Sequence, residues 1–407
     1  MRLFIHALML MLLAGIAVGQ GQLSVQEAVD MALKHNPDVL AARNETEAAN
    51  AGVRSARAPS NPEILITPGI VGEAGSDEEL SIAQPLEVNG QRQVRTSLAR
   101  AESDAAQASY LAVEREVVRS VKQMYWEVVQ AHNVVELSRG NVEFLEALLQ
   151  AANRQVEVGT APGAQRIKAQ VELTRAGQDL MRAESDLAQA RASLNTLLGR
   201  SPDTSFEPSG KLEFAPVNLD PARLKTEAQT NRPELAGAKA SLAARKAEVK
   251  AVEVQRRPDL SLQYRQETLG GDGGAAVGIS IPLLDWGSIR EGRRKAQAQV
   301  EAQEKRIAAV ETSVALDVDS GLRQVKLAEV LVQGYQQGVL SQAEQLADMA
   351  QKGYKSGANS YLEVLEAQRT LRNVKTEYHA ALADHLKALA QLEWAVGSYS
   401  PNEEVTK

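Results

Sequence analysis

The 407-residue sequence contains no cysteine, which excludes disulfide bonds, thiolate metal sites and thiol catalysis at once. It also excludes a lipoprotein anchored through an acylated N-terminal cysteine. Aromatic residues make up only 4% of the chain, fewer than a compact core of this size normally uses. Alanine, leucine, valine and long charged or amide side chains dominate instead, and this composition favours long, closely packed helices.

An excess of positive charge is also absent, because the formal net charge is −7. We therefore expect no nucleic-acid partner. No pattern resembles a nucleophile with its base or a loop that cradles phosphate. Of the histidines, His379 and His385 stand six residues apart and off a common helical face, so sequence neighbours compose no metal site. We expect no catalytic residue, no cofactor and no metal centre.

Long apolar runs are missing everywhere except at the start of the chain. Arg2 precedes an apolar run from Leu3 to Val18 that only His6 interrupts, and Ala17 and Gly19 are small residues at the two positions that a signal peptidase checks. This pattern predicts a secretory signal peptide over residues 1–19. The alternative is an uncleaved anchor helix, for which the run is short. Because no later run approaches the ~20 residues of a membrane-spanning helix, we expect any membrane insertion to use a barrel.

The chain repeats itself. Landmark residues of the first half recur in the second half in the same order. Their offset drifts only from 196 to 198 residues. The pairs are Asn36 and Arg232, Pro85 and Pro282, Gly159 and Gly357, and Leu198 and Val396. Four ordered landmarks with so small a drift indicate a duplication.

Each copy has the same internal order: a helix, a pair of strands, and two helices separated by a glycine turn. The first helices run from about Pro37 to Arg57 and from about Pro233 to Arg256. We divide the chain into five parts. These are a signal peptide (1–19), a first repeat (20–200), a Pro-containing linker (201–225), a second repeat (226–397) and a C-terminal tail (398–407).

The four predicted strands alternate apolar and polar residues. The clearest is the fourth, where Val277, Ile279 and Ile281 share one face and Gly278 and Ser280 share the other. Each strand is about ten residues long, the length of a tilted membrane strand. A soluble hairpin with one buried face would show the same alternation, so the strands alone do not separate the two.

The helices favour the membrane alternative. A coiled-coil-like seam runs without proline from Gly90 to Gly159, and a similar one runs from about Ile289 to Lys355. At 1.5 Å per residue each helix would be about 100 Å long, and the returning helices about half that. We expect the first helix of each copy to stack end to end on the returning helix of its neighbour. Four strands cannot close a barrel but twelve can, so the strand count predicts a trimer.

The sequence also carries a set of short motifs in a fixed order: Leu23 to Ala28 with Asn36-Pro37, Asn61-Pro62-Glu63, Gln84-Pro85-Leu86-Glu87 with Gly90 and Arg92, Ile281-Pro282-Leu283 with Gly287, and Gly357 with Leu365-Glu366-Ala367-Gln368. Together they resemble the TolC-like outer-membrane efflux proteins, and most of all their heavy-metal, CzcC-like branch. No single motif is specific, but their order and the duplication are. The resemblance implies a mainly α fold with a small β part. It implies a homotrimer whose four strands per protomer complete a transmembrane β-barrel above a long α-helical barrel.

The resemblance also implies a function. The protein would be a passive conduit from the periplasm across the outer membrane of a Gram-negative bacterium, in contact with outer-membrane lipid. Its partners would be a periplasmic adaptor protein and an inner-membrane pump, as in systems of the RND type. The implied cargo is heavy-metal cations, although drugs, small metabolites and secreted proteins use the same architecture. The rival interpretations are a periplasmic adaptor and a soluble coiled-coil scaffold.

Five residues are candidate sites. Gly159 and Gly357 would form the tips that dock the adaptor, although glycine alone indicates only a helix turn. Glu363 and Glu366 share a helix face, and the resemblance places them where acidic rings narrow the channel mouth. A solvated helix face would look the same. Trp286, after the fourth strand, is either a membrane-interface anchor or a packing residue at the corner between strand and helix.

Overall fold

The computed structural model describes residues 21–67, 79–267, 272–282 and 286–397. The predicted signal peptide, the C-terminal tail and most of the two predicted strand turns lie outside these residues. The first copy contains β1 (Gln22–Leu23), α1 (Val25–His35), α2 (Pro37–Arg57), β2 (Glu63–Thr67), β3 (Glu79–Leu86), α3 (Gln91–Glu157) and α4 (Gly163–Leu197).

The second copy follows the same order. Its elements are β4 (Glu207–Pro208), α5 (Pro221–Asn231), α6 (Pro233–Val254), β5 (Asp259–Glu267), β6 (Gly273–Ser280), α7 (Ser288–Gly334), a π-helical turn (Tyr335–Val339), α8 (Leu340–Lys355) and α9 (Tyr361–Val396). The mainly helical fold with few strands and an internal repeat is therefore confirmed. None of the helices in the described ranges combines the length and the apolar content that crossing a membrane requires.

Two short helices, α1 and α5, precede the helices with which the sequence analysis began each copy. Helix α1 starts with a capping box, in which the Ser24 side chain accepts from the Glu27 amide and Glu27 reaches back to Ser24. Helix α5 starts at Asp220, whose carboxylate accepts from the Ala222 amide at 3.0 Å. Helix α5 and strand β4 thus add structure to the stretch that we expected to be a linker.

Helix α2 begins where α4, the returning helix of the first copy, ends. Helix α6 likewise begins where α9, the returning helix of the second copy, ends. The side-chain amide of Asn36, which caps α2, donates to the carbonyl of Leu197 in the last turn of α4 at 2.9 Å. Arg232, which precedes α6, donates to the carbonyls of Trp394 and Ala395 at the end of α9. Both contacts satisfy carbonyls that a helix end leaves without an intrahelical donor. Our expectation of stacking on the neighbouring copy was therefore wrong, because the first long helix of each copy meets the returning helix of the same copy.

One core cluster is a seam along the 67-residue helix α3, which at 1.5 Å per residue is about 100 Å long. A second core cluster lies along α7, against α5 and α9. Val121, Tyr125 and Val128 are fully buried against α1 and α4. The Tyr125 hydroxyl donates to the Leu23 carbonyl at 2.8 Å and accepts from the Gly210 amide at 2.8 Å. This pair of bonds ties the segment after α4 to the midpoint of the long helix.

The second long helical segment is one residue longer than the first. Gln91–Glu157 is continuous α-helix, whereas Ser288–Lys355 includes the π-helical turn at Tyr335–Val339. A π turn is how a helix accommodates one inserted residue. The insertion accounts for the drift of the repeat offset from 197 at Gly287 to 198 at Gly357.

The four longer strands form one antiparallel sheet in the order β2–β3–β5–β6, and the two-residue strands β1 and β4 pair separately. The hairpins of the two copies therefore pair through β3 and β5. The register places one set of apolar side chains on a single face, which we call the apolar face: Ile64, Ile66, Leu80, Ile82, Leu260, Leu262, Tyr264, Val277 and Ile279. The opposite face carries mostly small or polar residues, among them Ser81, Ser261, Gln263 and Arg265. The alternation predicted from sequence is therefore confirmed.

Candidate functional site

The two predicted tips have the same backbone geometry. Gly159 and Gly357 adopt φ values of +75° and +78°. At the first tip the amide of Gly159 donates to Val156, and that of Thr160 donates to Gln155. The second tip repeats these bonds. This is a Schellman cap, which favours glycine because L side chains are strained at positive φ. No atom lies within 4 Å of the point where a Cβ would stand at either glycine, so the requirement is conformational and not steric.

The helices that leave the two tips start differently. Helix α4 follows Pro162, which provides no side-chain cap, whereas α9 starts with a capping box. In that box the Glu363 carboxylate accepts from the Ser360 amide at 2.6 Å, and the Ser360 hydroxyl accepts from the Glu363 amide at 3.3 Å. Glu363 therefore has a structural role that the sequence analysis missed, although the Ser-x-x-Glu pattern would have revealed it.

The predicted acidic pair lies on the exposed face of α9. Glu363 and Glu366 are both exposed, whereas Val364 and Leu365 between them are buried. In the part of the chain that the structure describes, neither carboxylate forms an ion pair. The pair thus presents two uncompensated negative charges one turn inside the second tip.

A polar triad joins the two tips. The Tyr354 hydroxyl lies 3.1 Å from Gln155 Oε1 and 3.1 Å from Gln165 Nε2, and the two glutamine side chains are 3.0 Å apart. Burial raises the pKa of Tyr354, so this phenol stays protonated and able to donate. The triad links the turn of the first copy to the last turn of α8 in the second.

Two ion pairs continue this link along α4 and α9. Arg369 contacts Glu172 at 2.6 Å, and Arg372 contacts Asp179 at 3.3 Å. Glu172 is largely buried, with 16% of its side chain exposed, whereas Arg369 is 43% exposed. Sequence reasoning did not find these four residues, because the partners are almost 200 residues apart and the pairing depends on how the helices align.

The third candidate, Trp286, is 93% exposed and has a φ of +48°. Packing in the corner between strand and helix, one of the two alternatives for this residue, is therefore wrong for the single chain. A bulky residue at positive φ is strained, and the exposed indole makes no compensating contact that the structure describes. The interface-anchor hypothesis stays a prediction.

The histidines lie apart. His385 is fully buried beside the Phe214 ring, with 5.1 Å between ring centroids, and burial lowers its pKa. His132 lies 3.7 Å from Glu207. Within the described ranges, no group of three or more His, Cys, Asp or Glu side chains has the arrangement of a metal site.

Comparison with known proteins gives the family. Residues 28–200 and 224–398 each match the family described as outer membrane efflux protein, so the two matches follow the internal repeat. The cobalt-zinc-cadmium resistance protein CzcC of Cupriavidus metallidurans is 28% identical over 382 residues, which cover 93% of this chain and 90% of CzcC.

Two solved structures share the fold. The CmeC outer membrane channel of Campylobacter jejuni superposes with a TM-score of 0.80 at 14% identity, covering 94% of this chain and 88% of CmeC. A structure of CusC superposes with a TM-score of 0.77 at 19% identity and covers 92% of each chain. With its duplicated hairpins, its paired tips and family matches over most of its length, this chain belongs to the outer membrane efflux protein family.

Proposed function

We propose that three copies of this chain form the outer-membrane conduit of a tripartite efflux complex. The observation that carries the proposal is the uncovered apolar face of the sheet. Ile66 is 71% exposed, Ile64 65%, and Val277 and Ile279 63% each. No described part of the chain packs over them. A soluble hairpin buries its apolar face, so this exposure favours lipid as the surrounding medium.

Within the described ranges the sheet is also open at both edges, because β2 and β6 each pair on one side only. Open edges are not tolerated in lipid, and joining edges between three copies gives a closed ring of twelve strands. The polar face would then line the lumen, where Arg265 and Glu79 form an ion pair at 2.8 Å. A periplasmic adaptor or a coiled-coil scaffold needs neither the bare apolar face nor the open edges.

The oligomer is the first test. The conduit should require detergent for extraction from membranes, and it should migrate as a heat-sensitive trimer on a gel. An aqueous extract that yields a soluble monomer would refute the proposal. It would leave the adaptor or the scaffold as the better interpretation.

The tips at Gly159 and Gly357 dock a periplasmic adaptor, and the adaptor connects the conduit to an inner-membrane pump of the RND type. The chain performs no chemistry of its own, and the pump supplies the energy. Both tips are exposed turns with equivalent backbones, so three copies present six similar docking points. Cysteine placed beside either glycine should crosslink to an adaptor, whereas cysteine at the exposed Lys326, in the body of α7, should not.

Glu363 and Glu366 form the gate. In a trimer each becomes a ring of three carboxylates, which attracts cations and whose members repel one another unless neutralised. The matching positions of the first copy are Gln165 and Lys168, so the acidic ring occurs once per protomer.

The gate is tested with E363Q/E366Q, because glutamine removes the charge and still completes the capping box of α9. The variant should show a larger single-channel conductance. E301Q/E304Q is the matched control, since Glu301 and Glu304 are exposed, stand three residues apart, and form no ion pair in the described chain. Unchanged conductance in E363Q/E366Q would refute the proposed gate and leave the proposed conduit unaffected.

The cargo is heavy-metal cations. The similarity to a cobalt-zinc-cadmium resistance protein over 93% of this chain supports this choice. A strain lacking the gene should become sensitive to divalent metals and keep its tolerance of hydrophobic drugs. Sensitivity to drugs alone would replace the metal cargo, and sensitivity to neither would favour secretion of another substrate.

A further inference from the structure

The four helix ends that adjoin the sheet are unusually basic. They are the end of α2, the start of α3, the end of α6 and the start of α7. The strand register brings all four to the same end of the sheet, where the strands meet the helices. The stretches 54–63, 87–95, 253–259 and 286–295 contain ten basic and five acidic residues, in a chain whose net charge is −7. We call the basic residues the belt: Arg54, Arg57, Arg92, Arg95, Arg256, Arg257, Arg290, Arg293, Arg294 and Lys295.

Part of the belt is neutralised within the chain and part is not. Arg95 pairs with Glu87 at 2.6 Å, Arg293 with Glu253 at 3.4 Å, and Arg290 with Glu291 at 3.1 Å. A second group of belt residues is exposed and forms no ion pair in the described part of the chain: Arg54, Arg57, Arg256 and Lys295. These four side chains carry four of the five excess positive charges and are free to reach an external anion.

The duplication does not explain the belt. At the repeat offset of 197, Arg92 and Arg95 correspond to Ile289 and Gly292, and Arg293 corresponds to Thr96. The two copies therefore both carry positive charge at this end of the sheet, but at sequence positions that do not correspond. An inherited pattern would have put the charges at equivalent positions.

The belt lies directly beside the apolar face. Ile281 continues that face past the last residue of β6 and is 57% exposed, and the exposed Trp286 follows five residues later. The order along the chain is thus apolar side chains, an aromatic residue, and then positive charge. A membrane presents acyl chains, the interface and the headgroups in that order.

We propose that the belt binds the phosphate groups of anionic phospholipids in the leaflet that faces the helical body. The inference rests on the proposed function, because the sheet must lie in a membrane for the belt to meet headgroups. Basic residues near a membrane surface attract anionic lipid, and salt screens the attraction. The belt would fix the depth of the conduit by holding the helical body at the headgroup level.

The test compares the full-length protein with R54Q/R57Q/R256Q/K295Q after reconstitution in vesicles of equal parts phosphatidylglycerol and phosphatidylcholine. Mild detergent then extracts the trimer, and mass spectrometry counts the phospholipids that it retains. The matched control is K239Q/K305Q/R323Q/K326Q. It removes four exposed charges from the helical body, none of which forms an ion pair in the described ranges.

The unmodified protein should retain phosphatidylglycerol in preference to phosphatidylcholine, and high salt should reduce the preference. The belt variant should lose the preference by about five-fold for each charge that reaches the leaflet, and the control variant should keep it. Equal retention of the two lipids by the unmodified protein, or an equal loss in the control variant, would overturn the belt alone. Failure to insert into vesicles of any composition would overturn the conduit and the belt together.

Discussion

Replacing Arg232 by methionine should destabilise the junction between α6 and α9 by an amount that the contacts of this side chain define. Arg232 is only 5% exposed. It donates to the carbonyls of Trp394 and Ala395 at 3.1 and 3.3 Å, pairs with Glu234 at 2.9 Å and Asp317 at 3.1 Å, and lies 4.2 Å from the centre of the Trp394 ring. Methionine keeps much of the apolar volume and removes every polar contact.

The loss should be about 3 kcal/mol per chain. Two helix-end carbonyls lose their donor, at about 1 kcal/mol each, and the stacking on Trp394 is worth about 1 kcal/mol. The two acidic partners contribute little, because their side chains are 30–35% exposed and water can solvate them. At about 2.1 cal/mol/K per residue, a chain of 407 residues unfolds with an entropy of about 0.85 kcal/mol/K, so the midpoint should fall by about 4 °C.

The assay is thermal loss of helical circular dichroism from the detergent-solubilised protein at one fixed scan rate, since membrane proteins often unfold irreversibly. Arg119→Met is the control. Arg119 also lies over Trp394, at 4.7 Å, but it has no bond to a helix-end carbonyl in the described structure, so it should cost about 1 kcal/mol. A midpoint for Arg232→Met equal to that of the unmodified protein would refute the reasoning. It would mean that desolvation of the buried guanidinium cancels its contacts.

Three further predictions concern the pH response, the tips and the membrane edge. Burial lowers the pKa of His385 below 6.5, so the unfolded chain takes up a proton that the native state resists. Stability should therefore fall as the pH drops below about 6.5, and H385L should reduce this slope in midpoints measured across that range, with His379, whose pKa burial also lowers, still contributing. Gly357→Val should destabilise the second tip by about 1–2 kcal/mol through backbone strain alone, and Gly357→Asn by less, as read from protease susceptibility of the turn. Lipids brominated near the headgroup should quench the fluorescence of the reconstituted protein, and W286F should lose most of this quenching; equal quenching in W286F would contradict the anchor.

The sequence was sufficient for the elements that a long pattern specifies. The seam of α3 repeats over many turns, so its length followed from the absence of proline between Gly90 and Gly159. The strands were predictable for a similar reason, because alternation fixes which residues share a face. Within the described residues, the strands of the four-stranded sheet span from five residues in β2 to nine in β5, against the ten expected. Ile70, which continues the series of Ile64 and Ile66 past Pro68, lies outside the described residues.

Features that depend on the alignment of distant segments were not predictable. The junction of α2 with α4 includes a bond from Asn36 to Leu197, and nothing in the sequence of either segment indicates which copy supplies the partner. The pair of Arg369 and Glu172 likewise depends on the relative height of two helices. By contrast, the capping boxes at Ser24 and Ser360 are local, and the Ser-x-x-Glu pattern of each is visible in the sequence alone.

Two differences between the copies lie in the second hairpin. The first hairpin is an unbroken helix to its tip, and its returning helix begins with Gln165 and Lys168 at the positions where the second carries Glu363 and Glu366. The second hairpin has both the acidic pair and the π-helical turn at Tyr335–Val339. If the two repeats of the chain were identical, a trimer would place six equal hairpins around its axis. Because the repeats differ, the hairpins around the axis alternate between two kinds. The features that build the tube occur in both repeats, whereas the acidic pair and the π-helical turn occur only in the second. We therefore infer that the three second-repeat hairpins open and close the channel.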